Sequence, residues 1–112
     1  MKPRIGIIPG DPGGIGPELI AKLLADDEVR AKADILLIGD RHLFEMGQAQ
    51  AGVEIDMTDC DALTGDWTAI DGLPIHARDT ISPDDVHLAE VTLANGRSAL
   101  GNLNCALEMA RD

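Results

Sequence analysis

The sequence predicts an α/β fold of three layers with a mostly parallel sheet. Two strand-like apolar runs, Ile5–Ile8 and Ile35–Ile38, each lead directly into a segment of helical periodicity, the βαβ order that builds parallel sheets. Aromatic content is 2%, with one Trp, one Phe and no Tyr, so Leu, Ile, Val and Ala must make the core. That composition suits a helix-covered sheet better than an aromatic-rich sandwich. A chain of 112 residues is one domain, 1–112, and at this size folding buries about two-thirds of the unfolded surface.

The first strand is expected over 4–9. Gly10-Asp11-Pro12-Gly13-Gly14-Ile15-Gly16-Pro17-Glu18 follows, a glycine-dense turn whose proline suits the first position of a helix. Leu19, Ile20, Leu23 and Leu24 then recur at helical spacing, giving a helix over 17–26 that covers one sheet face. Asp26-Asp27-Glu28 reads as a solvated acidic helix end. The second strand, 34–39, is expected beside the first with both buried, and a helix over 41–50 follows it. Val53-x-Ile55-x-Met57 alternates with period two and predicts a half-exposed strand, while 58–72 is acidic, turn-rich and read as loop. Leu73–Ala77 reads as a short strand whose Pro74 argues for an edge position, and Ile81–Asp85 as a turn. The last element is a helix capped by Asn95 or Ser98 and ending at Ala110. Ala99, Leu100, Leu103, Ala106, Leu107 and Ala110 make its apolar stripe, with Asn102 and Glu108 facing elsewhere. Gly101 inside that helix costs about 1 kcal/mol relative to Ala, which close packing against a neighbour would explain.

The glycine turn carries the chemistry. A strand that feeds a helix through such a turn aims free N–H groups and the positive end of the helix at a cleft, where phosphate or carboxylate can bind. The turn ends Gly16-Pro17-Glu18, without the Gly-Lys-Ser/Thr of a P-loop, which excludes that reading. Gly14-x-Gly16 is half of a dinucleotide fingerprint, and Asp40 falls at the place of a ribose-binding acid, ~20 residues further on. The bland alternative is a tight structural turn with no ligand. Asp11 and Glu18 at a helix N-terminus have their charged forms favoured, so positioning or capping suits them better than general-acid work.

Arg4–Glu18, with its core Gly-Asp-Pro-x-Gly-Ile-Gly-Pro-Glu, resembles the opening of the 4-hydroxythreonine-4-phosphate dehydrogenase family, which includes phosphothreonate and terephthalate dihydrodiol dehydrogenases. Ile38-Gly39-Asp40 and the segment Asn95-Gly96-Arg97-Ser98-Ala99 through Ala106–Ala110 agree with it, whereas 41–94 hardly does. The resemblance implies a two-domain fold like isocitrate and isopropylmalate dehydrogenases, of which this chain is the N-terminal part. It also implies NAD-dependent oxidation and decarboxylation of a small phosphorylated hydroxy acid such as 4-phosphohydroxy-L-threonine, in pyridoxine biosynthesis. The family works as a cytoplasmic homodimer with a divalent metal (Zn, Mg or Co). Its metal-binding histidines and substrate-gripping Lys and Arg have no counterpart in these residues, so no catalytic or metal residue is expected here. The cofactor contacts expected in this chain are Asp11, Gly13, Gly14 and Gly16, at a turn open to the interdomain cleft.

A formal charge of −11 makes nucleic-acid backbones and anionic membranes poor partners. No signal peptide is visible, and no apolar stretch approaches the ~18 residues of a membrane helix. Cys60 and Cys105 are isolated and read as free thiols, Cys105 as packing and Cys60 as hindered from ionising by Asp59 and Asp61. His42, His76 and His87 lack the spacing of a metal site; His42, just after Asp40, is placed to reach the rim of the same cleft. Two function classes follow: part of an NAD-dependent dehydrogenase, or a free-standing α/β module that binds an anion or nucleotide without catalysis.

Overall fold

The computed structural model describes residues 2–63, 65–70, 72–88 and 90–111; Thr64 and Asp71, within the expected loop 58–72, lie outside it. Four strands form one sheet: β1 (Arg4–Ile7), β2 (Asp34–Gly39), β3 (Met57–Asp59) and β4 (Leu73–Ala77), in the order β1-β2-β4-β3. All three pairings are parallel. The α/β class and the parallel sheet are thus as the sequence predicts.

Helices α1 (Gly16–Leu24), α2 (Asp27–Lys32) and α3 (Arg41–Ala51) join the first three strands, and α1 and α3 pack together over one face of the sheet. Leu24, Ile35, Leu37, Phe44, Leu73 and Ile75 form the core there. The chain from β3 to β4 runs back toward β1, so a right-handed crossover must lie over the opposite face. That crossover carries Cys60, Ala62 and Trp67, which pack with Leu36, Ile38 and Cys105 of α4 (Leu93–Ala110). Three layers result.

Several boundaries and placements differ from the sequence reading. β1 stops at Ile7 and is an edge strand, with Arg4, Ile5 and Gly6 exposed rather than buried. The acidic cluster at 26–28 opens α2, where Asp26 caps by accepting from Glu28 N at 2.9 Å. β3 covers only Met57–Asp59, although Ile55 still packs on the core. β4 is interior despite Pro74. Leu73 donates to Asp56 and Ile75 accepts from Cys60, so odd-numbered residues face β3. By alternation, the donor that Pro74 lacks would point toward β2, below the first β2–β4 pair at Leu37 and Ile75.

The largest correction concerns α4. Its cap is Thr92, whose Oγ1 accepts from Asn95 N at 3.1 Å, and its buried face is Asn95, Ser98, Asn102 and Cys105. Leu93, Leu100, Leu103 and Leu107 are exposed. The leucines of the stripe point outward while Ala106 packs on Leu36 and Ile38, and of the polar residues turned inward Asn95 and Ser98 find hydrogen-bond partners. Gly101 lies 3.7 Å from Thr80 Cγ2 at the nearest approach of a Cβ, an ordinary contact, so crowding does not require glycine there. Gly96, on the exposed side of the same helix, meets nothing. Gly96→Ala should therefore raise the stability of the chain by about 0.5–1 kcal/mol in urea unfolding.

Candidate functional site at the carboxyl ends of the strands

In an open parallel sheet, ligands bind outside the carboxyl ends of the strands, and here three chain segments meet at that edge. The first is the glycine turn after β1. Ile8 and Pro9 lead to Gly10, whose φ of +72° is left-handed and turns the chain. The Asp11 side chain accepts from Gly13 N at 2.8 Å, and its carbonyl accepts from Gly14 N at 2.9 Å. Asp11 therefore shapes the turn with its own carboxylate.

The four expected contact residues have different surroundings. A Cβ on Gly13 would lie 2.4 Å from His87 O and 2.5 Å from Asn95 Nδ2. The Asn95 amide donates to His87 O and Glu90 O, so the loop before α4 is clamped over Gly13. A Cβ on Gly16 would lie 2.4 Å from Pro9 O. These two glycines admit neighbouring chain. Gly14 is exposed and has only its own turn beside it, with Asp11 O at 3.3 Å from a built Cβ, and Ile15 is 69% exposed. The turn does lie at the carboxyl end of β1, but its Gly13 side is packed under the carbonyls of His87 and Glu90 instead of open. α1 has Ile15 at its N-cap and no side-chain cap, so no side chain satisfies the N–H groups that its first turn leaves without intrahelical partners.

The second segment is the end of β2. Gly39 lets Pro9 approach, since a Cβ would meet the proline ring at 2.8 Å, and this draws the β1 turn against β2. Asp40 follows, and its side chain is 1% exposed. Its carboxylate accepts from Thr80 N at 2.8 Å, Thr80 Oγ1 at 2.7 Å and Ile81 N at 3.0 Å. Both oxygens are committed to the loop after β4, so Asp40 is not available to a ribose, and the dinucleotide-fingerprint reading fails at this residue.

The third segment is that loop with α4 over it. Since Thr80 Oγ1 donates to Asp40, it accepts from Ser98 Oγ, 2.6 Å away. His42 Nε2 lies 2.8 Å from Ile81 O and 3.5 Å from Asp40 Oδ2. A carbonyl only accepts, so Nε2 carries the hydrogen. His42 is thus an anchored, partly buried residue of this edge. Asn95 and Ser98, read from the sequence as alternative helix caps, and Asn102, read only as facing away from the apolar stripe, are instead the buried polar face of α4 at this edge. Their i, i+3, i+7 spacing in one helix is a polar stripe visible in the sequence, though nothing in it says that the stripe faces inward.

The His76 ring lies on another part of the sheet, and His87 meets the turn through its carbonyl rather than its ring. His87 pairs with the exposed Glu90, and among the described residues no group of three His, Cys, Asp or Glu is arranged to hold a metal. Burial pushes the Cys60 thiol up, and Asp61 and Asp59 push it further the same way, as the flanking charges predict. No helix is long and apolar enough to cross a membrane among the described residues.

No protein-family model matches the chain. It is 43% identical over 111 residues to a protein of Pseudomonas aeruginosa provisionally named 4-hydroxythreonine-4-phosphate dehydrogenase 2, matching 97% of this chain and 32% of that protein. It is 35% identical over 95 residues to the 4-hydroxythreonine-4-phosphate dehydrogenase of Geobacter metallireducens, matching 85% of this chain and 28% of that one. Among solved structures, that of a 4-hydroxythreonine-4-phosphate dehydrogenase from Burkholderia phymatum superposes with a TM-score of 0.81 at 28% identity. It matches 99% of this chain and 33% of that one. The chain spans about a third of the length of these relatives.

Proposed function

This chain is a homologue of the 4-hydroxythreonine-4-phosphate dehydrogenases over about a third of their length, and from that premise we propose that it supplies the cofactor-facing turn of an NAD-dependent dehydrogenase. The observation that carries the reading is the exposed pair Gly14–Ile15 leading into α1, whose N-cap Ile15 has no side-chain cap, at the carboxyl end of β1. NAD, when bound, accepts the hydride lost from the hydroxyl-bearing carbon of the substrate. The part of this chain is to hold an anionic group of that cofactor. The backbone N–H of Ile15 and the positive end of α1 suit a pyrophosphate, and Gly14, whose own N–H is held by the Asp11 carbonyl, lets it approach closely. Asp11, Gly13 and Gly16 shape and brace the turn behind that surface.

The substrate is a small phosphorylated hydroxy acid, and the working enzyme is a homodimer. The described residues do not fit a divalent-metal site, so a metal that assists the reaction takes its ligands from residues other than these. The 112-residue chain by itself should not turn over NAD with 4-phosphohydroxy-L-threonine; measurable turnover would overturn that expectation. In the intact enzyme, Gly14→Val should raise the KM for NAD about tenfold, equivalent to about 1.4 kcal/mol, with the melting temperature little changed. Unchanged NAD kinetics with a melting temperature lowered by several degrees would make the turn purely structural.

A further inference from the structure

On the sheet face opposite α1 and α3, a groove of about 540 Å³ lies between α4 and the β3–β4 crossover. Gly6, Leu36 and Ile38 form its floor, Ala106 and Met109 one wall, and Ala62, Leu63 and Trp67 the other. Among the described residues, two hydrogen bonds tie the start of the second wall to β4. Cys60 N donates to Ile75 O at 3.0 Å, and two residues on, Ala62 N donates to Nδ1 of His76 at 3.3 Å. His76 is paired in register with Ile38 and so faces the groove side of the sheet.

We propose that His76 is a pH-sensitive latch, closed when its neutral imidazole accepts the Ala62 N–H and released when protonation removes that acceptor. An Nδ1 that accepts a hydrogen bond has no proton, so the bond exists only with the neutral ring. On acidification Nδ1 gains a hydrogen and meets the Ala62 donor head-on, so the Ala62–Trp67 wall loses its tie to β4. His42 responds differently, because its Nε2 is already a donor to Ile81 O and its protonation breaks nothing there.

Among the described residues, the charged and titratable groups near His76 and the groove are these. Asp61, beside Ala62 on the crossover, attracts an imidazolium, and Arg78, one residue past the end of β4, repels it. Cys60 and Cys105 pack on Leu36 and Ile38, with the Cys60 thiol pushed up by burial. Arg4 and the exposed Asp66 lie further along, at the Trp67 end of the groove.

Trp67 is the only tryptophan and reports on the wall directly. Lowering the pH of the 112-residue chain from about 8 to about 5, the range over which histidine charges, should red-shift and weaken its emission. His76→Gln keeps an acceptor that does not titrate, and should remove the shift. The same red shift in H76Q would overturn the proposal, because the titration of some other group would then be its cause. If H76Q does not fold, the wild-type chain answers by NMR. The Ala62 amide and the His76 ring must titrate with one midpoint, and an Ala62 amide indifferent to that midpoint sinks the latch.

Discussion

Gly13→Ala is expected to destabilise the chain by about 1–3 kcal/mol, the range for forcing a methyl group into a packed site. The added Cβ would stand 2.4 Å from the His87 carbonyl and 2.9 Å from that of Glu90, both backbone atoms, with the Asn95 amide at 2.5 Å. Relief requires lifting the 87–90 loop, which breaks the two hydrogen bonds by which Asn95 holds it. Gly14→Ala, one residue on, meets only its own turn and should cost about 0.5 kcal/mol. Urea unfolding of the two variants followed by circular dichroism gives the comparison. Equal losses would mean that the loop does not sit over Gly13. The contrast also separates structure from binding at the turn. Gly13 is needed for folding, and Gly14 is the position where a ligand can approach.

Asp40→Ala should cost about 2–4 kcal/mol, more than a typical point substitution. The carboxylate serves three donors in a place closed to water, and removing it strands the N–H groups of Thr80 and Ile81. The Thr80 hydroxyl would lose its acceptor and with it the orientation that lets Ser98 donate to it. Asp40→Asn keeps one acceptor oxygen and should lose less. Denaturant midpoints for the two variants test this, and a loss under about 1 kcal/mol for D40A would show that Asp40 is not the clasp joining β2, the loop after β4 and α4.

The glycine turn, both strand–helix units and the parallel sense of the sheet were legible in the sequence, because each rests on local spacing. Ile5–Ile8 and Ile35–Ile38 are runs bounded by turn residues, and Gly10–Pro17 can only be a turn leading into a helix. Asp40 was legible as a residue but not in its role. Its partners, Thr80 and Ile81, lie 40 and 41 residues away.

What the sequence by itself determined, then, was the class of fold and the turn at the end of its first strand, since glycine, proline and apolar periodicity act through bonds within a few residues. Strand order and helix orientation were decided only in three dimensions. Pro74 argued for an edge, yet β4 is interior, because a missing N–H matters only where a partner would accept it. The leucines of α4 argued for an inward face, yet the helix turns Asn95, Ser98 and Asn102 inward. There the carbonyls of His87 and Glu90 and the hydroxyl of Thr80 form hydrogen bonds with Asn95 and Ser98 that leucine could not make. Hydrogen bonds to the chain before the helix hold that face inward, and the polar spacing along the helix does not by itself say so.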